Sequence, residues 1–233
     1  ILTAIVEDPA GYGRIIRSND GKFIEIIEDR DADAEQLEIH EVNAGVYVFD
    51  ALHLREALTK VGSHNAQGEK YLTDAAAELL HKKLKVQALA VNDNWLVAGI
   101  NDRVQLSEVA AELNYRICEA WQVAGVTIQD PASTWIDVTV ALGTDVTLLP
   151  GTHLKGMTKI ESGATVGPEC YLVDTTVGEN ASVVKTHATG SKIGNDASVG
   201  PFAYLRPGTD LGANGKIGTF VETKNAKIGA GSK

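Results

Sequence analysis

Two cationic side chains interrupt an otherwise apolar, glycine-rich pattern near the end of the sequence. Arg206 lies in PFAYLRPG and Lys224 lies in VETKNAKIG, eighteen residues further on. In a coil of three faces with six residues per face, residues eighteen apart occupy equivalent positions on adjacent turns. The spacing therefore predicts a shared cationic patch, which suits a phosphate group. The alternative is two solvated charges on the outside of the coil.

Three upstream segments contain residues that could recognise a sugar or a metal ion: GYGR at residues 11–14, EIHEVNAGVY around Asn43, and GINDR around Asn101. Gly13 lets a backbone approach a ligand closely, whereas Glu28 and Asn43 can hydrogen-bond to sugar hydroxyls. Asn101 can offer an oxygen to a hard cation such as Mg²⁺. The structural alternatives are a β-turn, a surface carboxylate, an asparagine at a strand start and a helix cap.

The polar segment NAQGEKYLTD, residues 65–74, precedes a predicted helix and reads as a loop capped by Thr73 or Asp74. The histidines have no HxH or HExxH spacing, and we expect none of them to be a metal ligand. The two cysteines, Cys118 and Cys170, lack the paired spacing of a zinc or redox site and are predicted to be reduced thiols. The histidines are His40, His53, His64, His81, His153 and His187.

The sequence has 233 residues and a formal net charge of −10. This acidity argues against binding to nucleic acid or to an anionic membrane, so an anionic substrate must be held by a few local cations or a metal. No apolar run approaches the roughly 18 residues of a membrane span, which predicts a soluble, cytoplasmic protein. The opening residues have no signal-peptide pattern, and we expect Ile1 to mark an internal cut in a longer sequence.

From the middle of the chain onward, a branched aliphatic residue recurs every six residues, and glycine often follows it. A short fixed period is typical of a solenoid whose units stack and bury a continuous column of side chains. A β-sandwich is disfavoured, because its strands recur at about 8–12 residues. Two slips, near Thr176 and across residues 185–192, are predicted to be loops or longer corners that leave the coil. The periodic residues are Ile136, Leu142, Leu148, Leu154, Ile160, Val166, Leu172, Val177, Val183, Ile193, Val199, Leu205, Leu211, Ile217 and Ile228.

Upstream of the repeats, short β-type runs alternate with helical patterns, which predicts an α/β layer. Residues 14–18 and 22–28 flank Asn19-Asp20-Gly21, a strong hairpin signal. Residues 42–50 predict a buried strand that runs into a helix capped by Asp50. A second helix is predicted at residues 74–82, followed by the strand VQALAV.

One long helix, residues 104–124, is predicted to connect the α/β part to the repeats. Asp102 and Gln105 can form a capping pair at its start, and Gly125 supplies its stop. We expect its apolar stripe to pack against a domain or a sister chain rather than to bind a ligand. The stripe consists of Leu106, Val109, Leu113, Ile117 and Trp121.

Taken together, these segments resemble the bacterial bifunctional N-acetylglucosamine-1-phosphate uridyltransferase/glucosamine-1-phosphate acetyltransferase family, the GlmU family. The resemblance covers the whole chain in the family's order and spacing, and the sequence has an actinobacterial character. It is carried by the segments DPAGYGRI, EVNAGVY, NAQGEKYLTD, VAGINDRVQL, GPFAYLRPGTDLG and FVETKNAKIGAGSK.

The resemblance implies that residues 1–103 are the C-terminal portion of a Rossmann-like uridyltransferase domain, with 104–124 as a linker helix. Residues 125–233 would be the N-terminal portion of a left-handed parallel β-helix acetyltransferase domain that forms homotrimers. The implied partners are small-molecule sugar phosphates and nucleotides, with Mg²⁺ as cofactor and acetyl-CoA and UTP as co-substrates. The implied product, UDP-N-acetylglucosamine, feeds peptidoglycan synthesis.

Residue by residue, the resemblance implies three groups of ligand contacts. Gly13, Glu28 and Asn43 would contact UDP-N-acetylglucosamine, Asn101 would be one of two Mg²⁺ ligands in the same substrate site, and Arg206 and Lys224 would bind the sugar phosphate. It assigns no catalytic residue within the sequence, because the family's catalytic histidine comes after Lys233 and its glycine-rich nucleotide loop comes before Ile1. We therefore expect this chain to be inactive on its own.

Two other functions are compatible with the same architecture. One is another sugar-1-phosphate nucleotidyltransferase with a β-helix tail, such as an ADP-glucose or dTDP-glucose pyrophosphorylase. The other is a non-catalytic scaffold whose β-helix serves to trimerise. Arg206 and Lys224 together favour the acetyltransferase over the first alternative.

Overall fold

The computed structural model describes residues 1–63, 65–100 and 102–233. These residues form two compact units, residues 1–109 and residues 110–233. Within the described ranges, no helix is both long enough and apolar enough to cross a membrane.

The first unit contains a five-stranded mixed sheet with short helices. Its strands lie in the order β3-β2-β4-β1-β5, and the pairings are antiparallel except for β1 with β5. This arrangement confirms the predicted combination of strands and helices. The elements are β1 (Leu2–Ile5), β2 (Arg14–Arg17), β3 (Phe23–Ile27), α1 (Ala34–Leu37), β4 (Glu41–Asn43), α2 (Ala51–Leu58), α3 (Asp74–His81), β5 (Leu89–Ala90) and a 3₁₀ turn (Asn94–Val97).

The predicted hairpin is present as the antiparallel pair β2 and β3. The Ser18 N–H donates to the Lys22 carbonyl at 2.9 Å, and the Gly21 N–H donates to the Ser18 carbonyl at 2.8 Å. Gly21 has a φ of +80°, which a residue with a side chain adopts only with strain. The turn therefore depends on glycine at this position.

The predicted strand over residues 42–50 is wrong beyond Asn43, where β4 ends. The Asn43 side-chain oxygen accepts a hydrogen bond from the Gly45 N–H at 3.1 Å, and Gly45 has a φ of +71°, so the chain bends out of the sheet. Val48 is 92% exposed rather than buried. Asp50 caps α2 as predicted, because its carboxylate accepts from the N–H groups of Leu52 and His53, each at 3.0 Å.

The second unit is a parallel β-solenoid of about six turns, built from three sheets with six strands in each. The first solenoid sheet contains β7 (Trp135–Ile136), β10 (His153–Lys155), β13 (Tyr171–Val173), β16 (Thr186–Thr189), β19 (Ala203–Leu205) and β22 (Glu222–Thr223). The second contains β8 (Ala141–Leu142), β11 (Lys159–Ile160), β14 (Thr176–Val177), β17 (Lys192–Ile193), β20 (Asp210–Leu211) and β23 (Lys227–Ile228). The third contains β6 (Thr127–Ile128), β9 (Thr147–Leu148), β12 (Thr165–Val166), β15 (Ser182–Val183), β18 (Ser198–Val199) and β21 (Lys216–Ile217).

The periodic aliphatic residues form the core of this solenoid, as predicted. Each lies in a strand with its side chain inward, and almost all of them are buried. Leu142 and Ile228 are only partly buried. The six-residue period is thus the spacing between successive faces of the coil, and the column of aliphatic side chains is what the turns bury together.

The predicted slips are not loops that leave the coil. Ala188 is fully buried and pairs in register with Leu172 on one side and Leu205 on the other, so it occupies a core position that the aliphatic pattern missed. The units at these places have five residues instead of six, and a residue with positive φ turns each shortened corner. These residues are Asp174, Lys185, Gly190 and Asn225.

A single helix, α4 (Arg103–Val123), precedes the solenoid strands. Asp102 caps it by accepting from the Gln105 N–H at 2.8 Å, and Gly125 follows it with a φ of +97°. Two residues of the predicted apolar stripe contact the solenoid core. Ile117 and Trp121 pack against the solenoid core together with the buried Cys118, whereas Leu106 and Leu113 are 53% and 56% exposed.

Replacing Leu172 by alanine tests the aliphatic column. The side chain is fully buried, so Leu172→Ala should lower the free energy of unfolding by about 2–5 kcal/mol in urea titrations. The control is Val138→Ala at a side chain that is 81% exposed, where a change within about 0.5 kcal/mol is expected. Equal effects of the two substitutions would contradict the assignment of the column as the core.

The ion pair of Arg17 with Glu41 should make the stability of the first unit depend on pH. The guanidinium binds both carboxylate oxygens at 2.6 Å, and Thr3 donates to one of them. The hydrogen bond from Arg17 holds the pKa of Glu41 below its usual value of 4.5, although burial opposes this. The unfolded chain therefore takes up the proton at a higher pH than the native chain does, and this stabilisation is lost as the pH falls below about 4.5.

We expect Glu41→Gln to flatten the decline in unfolding free energy between about pH 5 and pH 3, measured by urea titration at each pH. The matched control is Glu38→Gln, at an exposed glutamate, which should keep the wild-type slope. An unchanged slope in Glu41→Gln would show that this pair does not govern the acid sensitivity.

Candidate functional sites

The structure brings Gly13, Glu28 and Asn43 together at one edge of the first unit. The Asn43 N–H donates to the Gly13 carbonyl at 2.7 Å. A Cβ atom on Gly13 would lie 3.3 Å from Glu28 Oε2 and 3.0 Å from Ile26 Cγ2, so only glycine fits without displacing these neighbours. Three segments that are distant in sequence thus form a small polar site around the buried Gly13.

Two further side chains lie next to the polar residues of this site. The Thr73 hydroxyl donates to Glu28 Oε1 at 2.9 Å, and the half-buried Tyr47 phenol lies near enough to Asn43 and Glu28 for both to influence its pKa. Burial is the main cause that raises the pKa of Tyr47; the Glu28 charge adds to the rise and the hydrogen bond with Asn43 opposes it. Tyr47 therefore stays a neutral phenol at physiological pH, able to donate or accept a hydrogen bond.

The sequence reasoning did not single out Tyr47 and predicted Thr73 only as a helix cap. Tyr47 lies four residues after Asn43 within the quoted segment EIHEVNAGVY, and proximity to a candidate polar residue is the one signal that could have drawn attention to it. Thr73 makes no capping hydrogen bond with α3. Its contact with Glu28 joins residues 45 positions apart, which no local pattern predicts.

The proposed metal ligand, Asn101, lies outside the described residues. Across the described ranges, no three histidine, cysteine, aspartate or glutamate side chains come together as a potential metal site. The two thiols, Cys118 and Cys170, are buried and free, and burial raises the pKa of both. Neither thiol is therefore poised as a nucleophile.

Arg206 and Lys224 lie at equivalent positions on neighbouring turns of the solenoid. Strands β19 and β22 pair with Leu205 opposite Thr223, and the Arg206 N–H donates to the Thr223 carbonyl at 2.9 Å. The two cations follow directly after these paired residues. Arg206 is partly buried and Lys224 is exposed, and each lies one residue past the end of its strand.

A carboxylate lies beside these cations. The Arg206 Nη1 atom is 2.9 Å from Glu222 Oε1, and the Lys224 side chain is exposed. With two positive charges and one negative charge, the group retains a net positive charge that can accept a phosphate dianion. A phosphate bound here competes with Glu222 for the guanidinium.

The first solenoid sheet also carries a row of aromatic rings on successive strands. The row ends at Tyr204, two residues before Arg206. Tyr171 stacks on His187 with 4.9 Å between ring centroids, and Tyr204 meets His187 edge-on at 5.3 Å. His153 continues the row at 5.8 Å from Tyr171. Burial, and then the charge of Lys155, lowers the pKa of His153, so this imidazole stays neutral around pH 7.

Comparisons with known proteins agree with the sequence motifs. The bifunctional protein GlmU of Clavibacter sepedonicus is 59% identical over all 233 residues, and those of Kineococcus radiotolerans and Mycobacterium tuberculosis H37Ra are each 54% identical. No protein-family model matches the sequence. A solved structure of a histidine-to-alanine mutant of GDP-perosamine N-acetyl transferase from Caulobacter crescentus, in complex with CoA and GDP-perosamine, aligns over 65% of this chain and 66% of that chain. The alignment has a TM-score of 0.43 and 16% identity, too low to support an argument.

The alignments with the curated relatives cover this chain completely, but only 47% of each relative's length. The chain therefore spans about half the length of the curated relatives that it matches. At 54–59% identity over all 233 residues, common ancestry is established for the whole chain. The chain belongs to the family of bifunctional GlmU proteins.

Proposed function

We propose that this chain is part of a two-step enzyme that makes UDP-N-acetylglucosamine. The first step transfers an acetyl group from acetyl-CoA to glucosamine-1-phosphate. The second transfers a uridylyl group from UTP to the resulting N-acetylglucosamine-1-phosphate and releases pyrophosphate. The observation that carries the proposal is the side-by-side placement of Arg206 and Lys224 on adjacent turns, in a chain whose relatives are bifunctional GlmU proteins.

We assign the acetyl transfer to the solenoid, as part of a left-handed β-helix domain. Arg206 and Lys224 hold the phosphate of glucosamine-1-phosphate by charge-assisted hydrogen bonds and so fix the position of its amine. The amine then attacks the thioester carbon of acetyl-CoA, a base accepts the amine proton, and the CoA thiolate leaves. For this chain alone we propose ligand binding without turnover.

We assign the uridylyl transfer to the first unit, as part of a Rossmann-like domain. Glu28 and the Asn43 side chain accept and donate hydrogen bonds to sugar hydroxyls, and Gly13 lets the backbone approach the ligand. These contacts orient the sugar phosphate, whose oxygen attacks the α-phosphate of UTP in line with the departing pyrophosphate. Mg²⁺ would neutralise phosphate charge in this site, with Asn101 as one of its ligands.

The proposal includes a homotrimer formed through the β-helix and a cytoplasmic location. The other sugar-1-phosphate nucleotidyltransferases considered above do not need a cationic pair on the solenoid, which is why Arg206 with Lys224 favours the acetyltransferase.

Assays of both half-reactions on the purified chain test the proposed lack of turnover. Robust conversion in either assay would overturn that part of the proposal.

Removing either cation should weaken binding of glucosamine-1-phosphate to the chain. Each charge-assisted hydrogen bond contributes about 1.5–3 kcal/mol, so Arg206→Ala and Lys224→Ala should each raise the dissociation constant roughly tenfold or more in calorimetric titrations. The matched control is Lys227→Ala, which removes an exposed lysine from β23 in the second solenoid sheet. A similar loss with the control would indicate nonspecific attraction to surface charge.

Removing the Glu28 carboxylate should weaken binding of N-acetylglucosamine-1-phosphate. We expect Glu28→Ala to raise the dissociation constant roughly tenfold, because hydroxyl-to-carboxylate hydrogen bonds are lost. Saturation-transfer NMR and calorimetry measure this change on the 233-residue chain. The control is Glu38→Ala at an exposed glutamate, for which the dissociation constant should not change. An effect of Glu38→Ala equal to that of Glu28→Ala would contradict the assigned site.

A further inference from the structure

Thr73 occupies the N-cap position of α3, but its side chain does not cap the helix. It immediately precedes α3 and has helical backbone angles, φ −58° and ψ −34°, with no side-chain capping bond. An N-cap residue has an extended backbone, and its side-chain oxygen accepts a hydrogen bond from a backbone N–H of the first turn. The Thr73 hydroxyl, on a residue that is 6% exposed, donates instead to Glu28 Oε1 at 2.9 Å.

This hydrogen bond gives the two oxygens of the Glu28 carboxylate different neighbours. One oxygen, Oε1, accepts from Thr73, whereas the other, Oε2, lies 3.3 Å from where a Cβ atom on Gly13 would be. An unanchored glutamate samples several rotamers about three side-chain bonds. Because Thr73 holds Oε1, the other oxygen, Oε2, stays directed toward Gly13.

The neighbouring polar side chain is anchored in the same way. The Asn43 side-chain oxygen accepts from the Gly45 N–H at 3.1 Å, and its backbone N–H donates to the Gly13 carbonyl at 2.7 Å. Both polar side chains of the site are therefore held by hydrogen bonds within the chain. Pre-organised hydrogen-bonding groups bind a ligand more tightly, because less conformational freedom is lost on binding.

We propose that Thr73 is a positioning residue that sets the orientation of Glu28 toward a sugar hydroxyl. The proposal rests on the assignment of the first unit as a sugar-phosphate site. It gives the segment NAQGEKYLTD a role in ligand binding beyond that of a capped loop. Thr73 itself does not touch the ligand and acts only through the carboxylate.

The test compares Thr73→Val, which keeps the branched shape and removes the hydroxyl, with Thr73→Ser, which keeps the hydroxyl. On the full 233-residue chain, we expect Thr73→Val to raise the dissociation constant for N-acetylglucosamine-1-phosphate about five- to twentyfold. Thr73→Ser should stay within about twofold of the wild type. Side-chain coupling constants of Glu28 should indicate one rotamer in the wild type and Thr73→Ser, and averaging in Thr73→Val.

A double-mutant cycle separates positioning from general destabilisation. When Glu28 is already alanine, adding Thr73→Val should change the affinity less than twofold, because the hydroxyl has no carboxylate left to orient. Thermal melting of each variant verifies that the chain remains folded at the temperature of the titrations. Full additivity of the two substitutions would overturn the proposal.

The outcomes also distinguish this inference from the function on which it rests. If Glu28→Ala weakens binding and Thr73→Val does not, the positioning role is wrong and the sugar site stands. If Glu28→Ala leaves the dissociation constant unchanged, the sugar site is wrong, and so is the positioning role. A single Glu28 rotamer in Thr73→Val would likewise overturn the proposal.

Discussion

The register of parallel strands in the solenoid is the constraint on which the second unit depends. Backbone hydrogen bonds hold equivalent residues of successive turns about 4.8 Å apart, so each inward aliphatic side chain rests on another of its kind. The same register governs the outward side chains, which cannot shift independently of the core. The proximity of Arg206 and Lys224 is therefore a consequence of the pairing of Leu205 with Thr223.

Much of the solenoid could be predicted from the sequence because its core repeats one simple pattern. The prediction failed where the position paired in register with the aliphatic residues carries a residue outside that pattern, as at Ala188 and Thr223. Counting only branched aliphatic residues made the five-residue units look like breaks. The register reveals them as ordinary turns of the coil with shorter corners.

The first unit was harder to predict because its site combines short segments from distant parts of the sequence. Motifs identified Gly13, Glu28 and Asn43, and the structure brings them together. The extent of the strand after Val42 was overestimated, because alternating apolar residues outweighed the bend at Gly45. The partnership of Thr73 with Glu28 depends on the packing of α3 near β3, which local patterns do not contain.

The five-residue units have a consequence for how such a chain can change over evolutionary time. Since a corner of either length delivers the next strand in the same register, gain of one residue at Asp174 or Lys185 would leave the stacking of the faces intact. The same change within a strand would turn the inward side chains outward. Single-residue length differences among relatives should therefore concentrate at the corners.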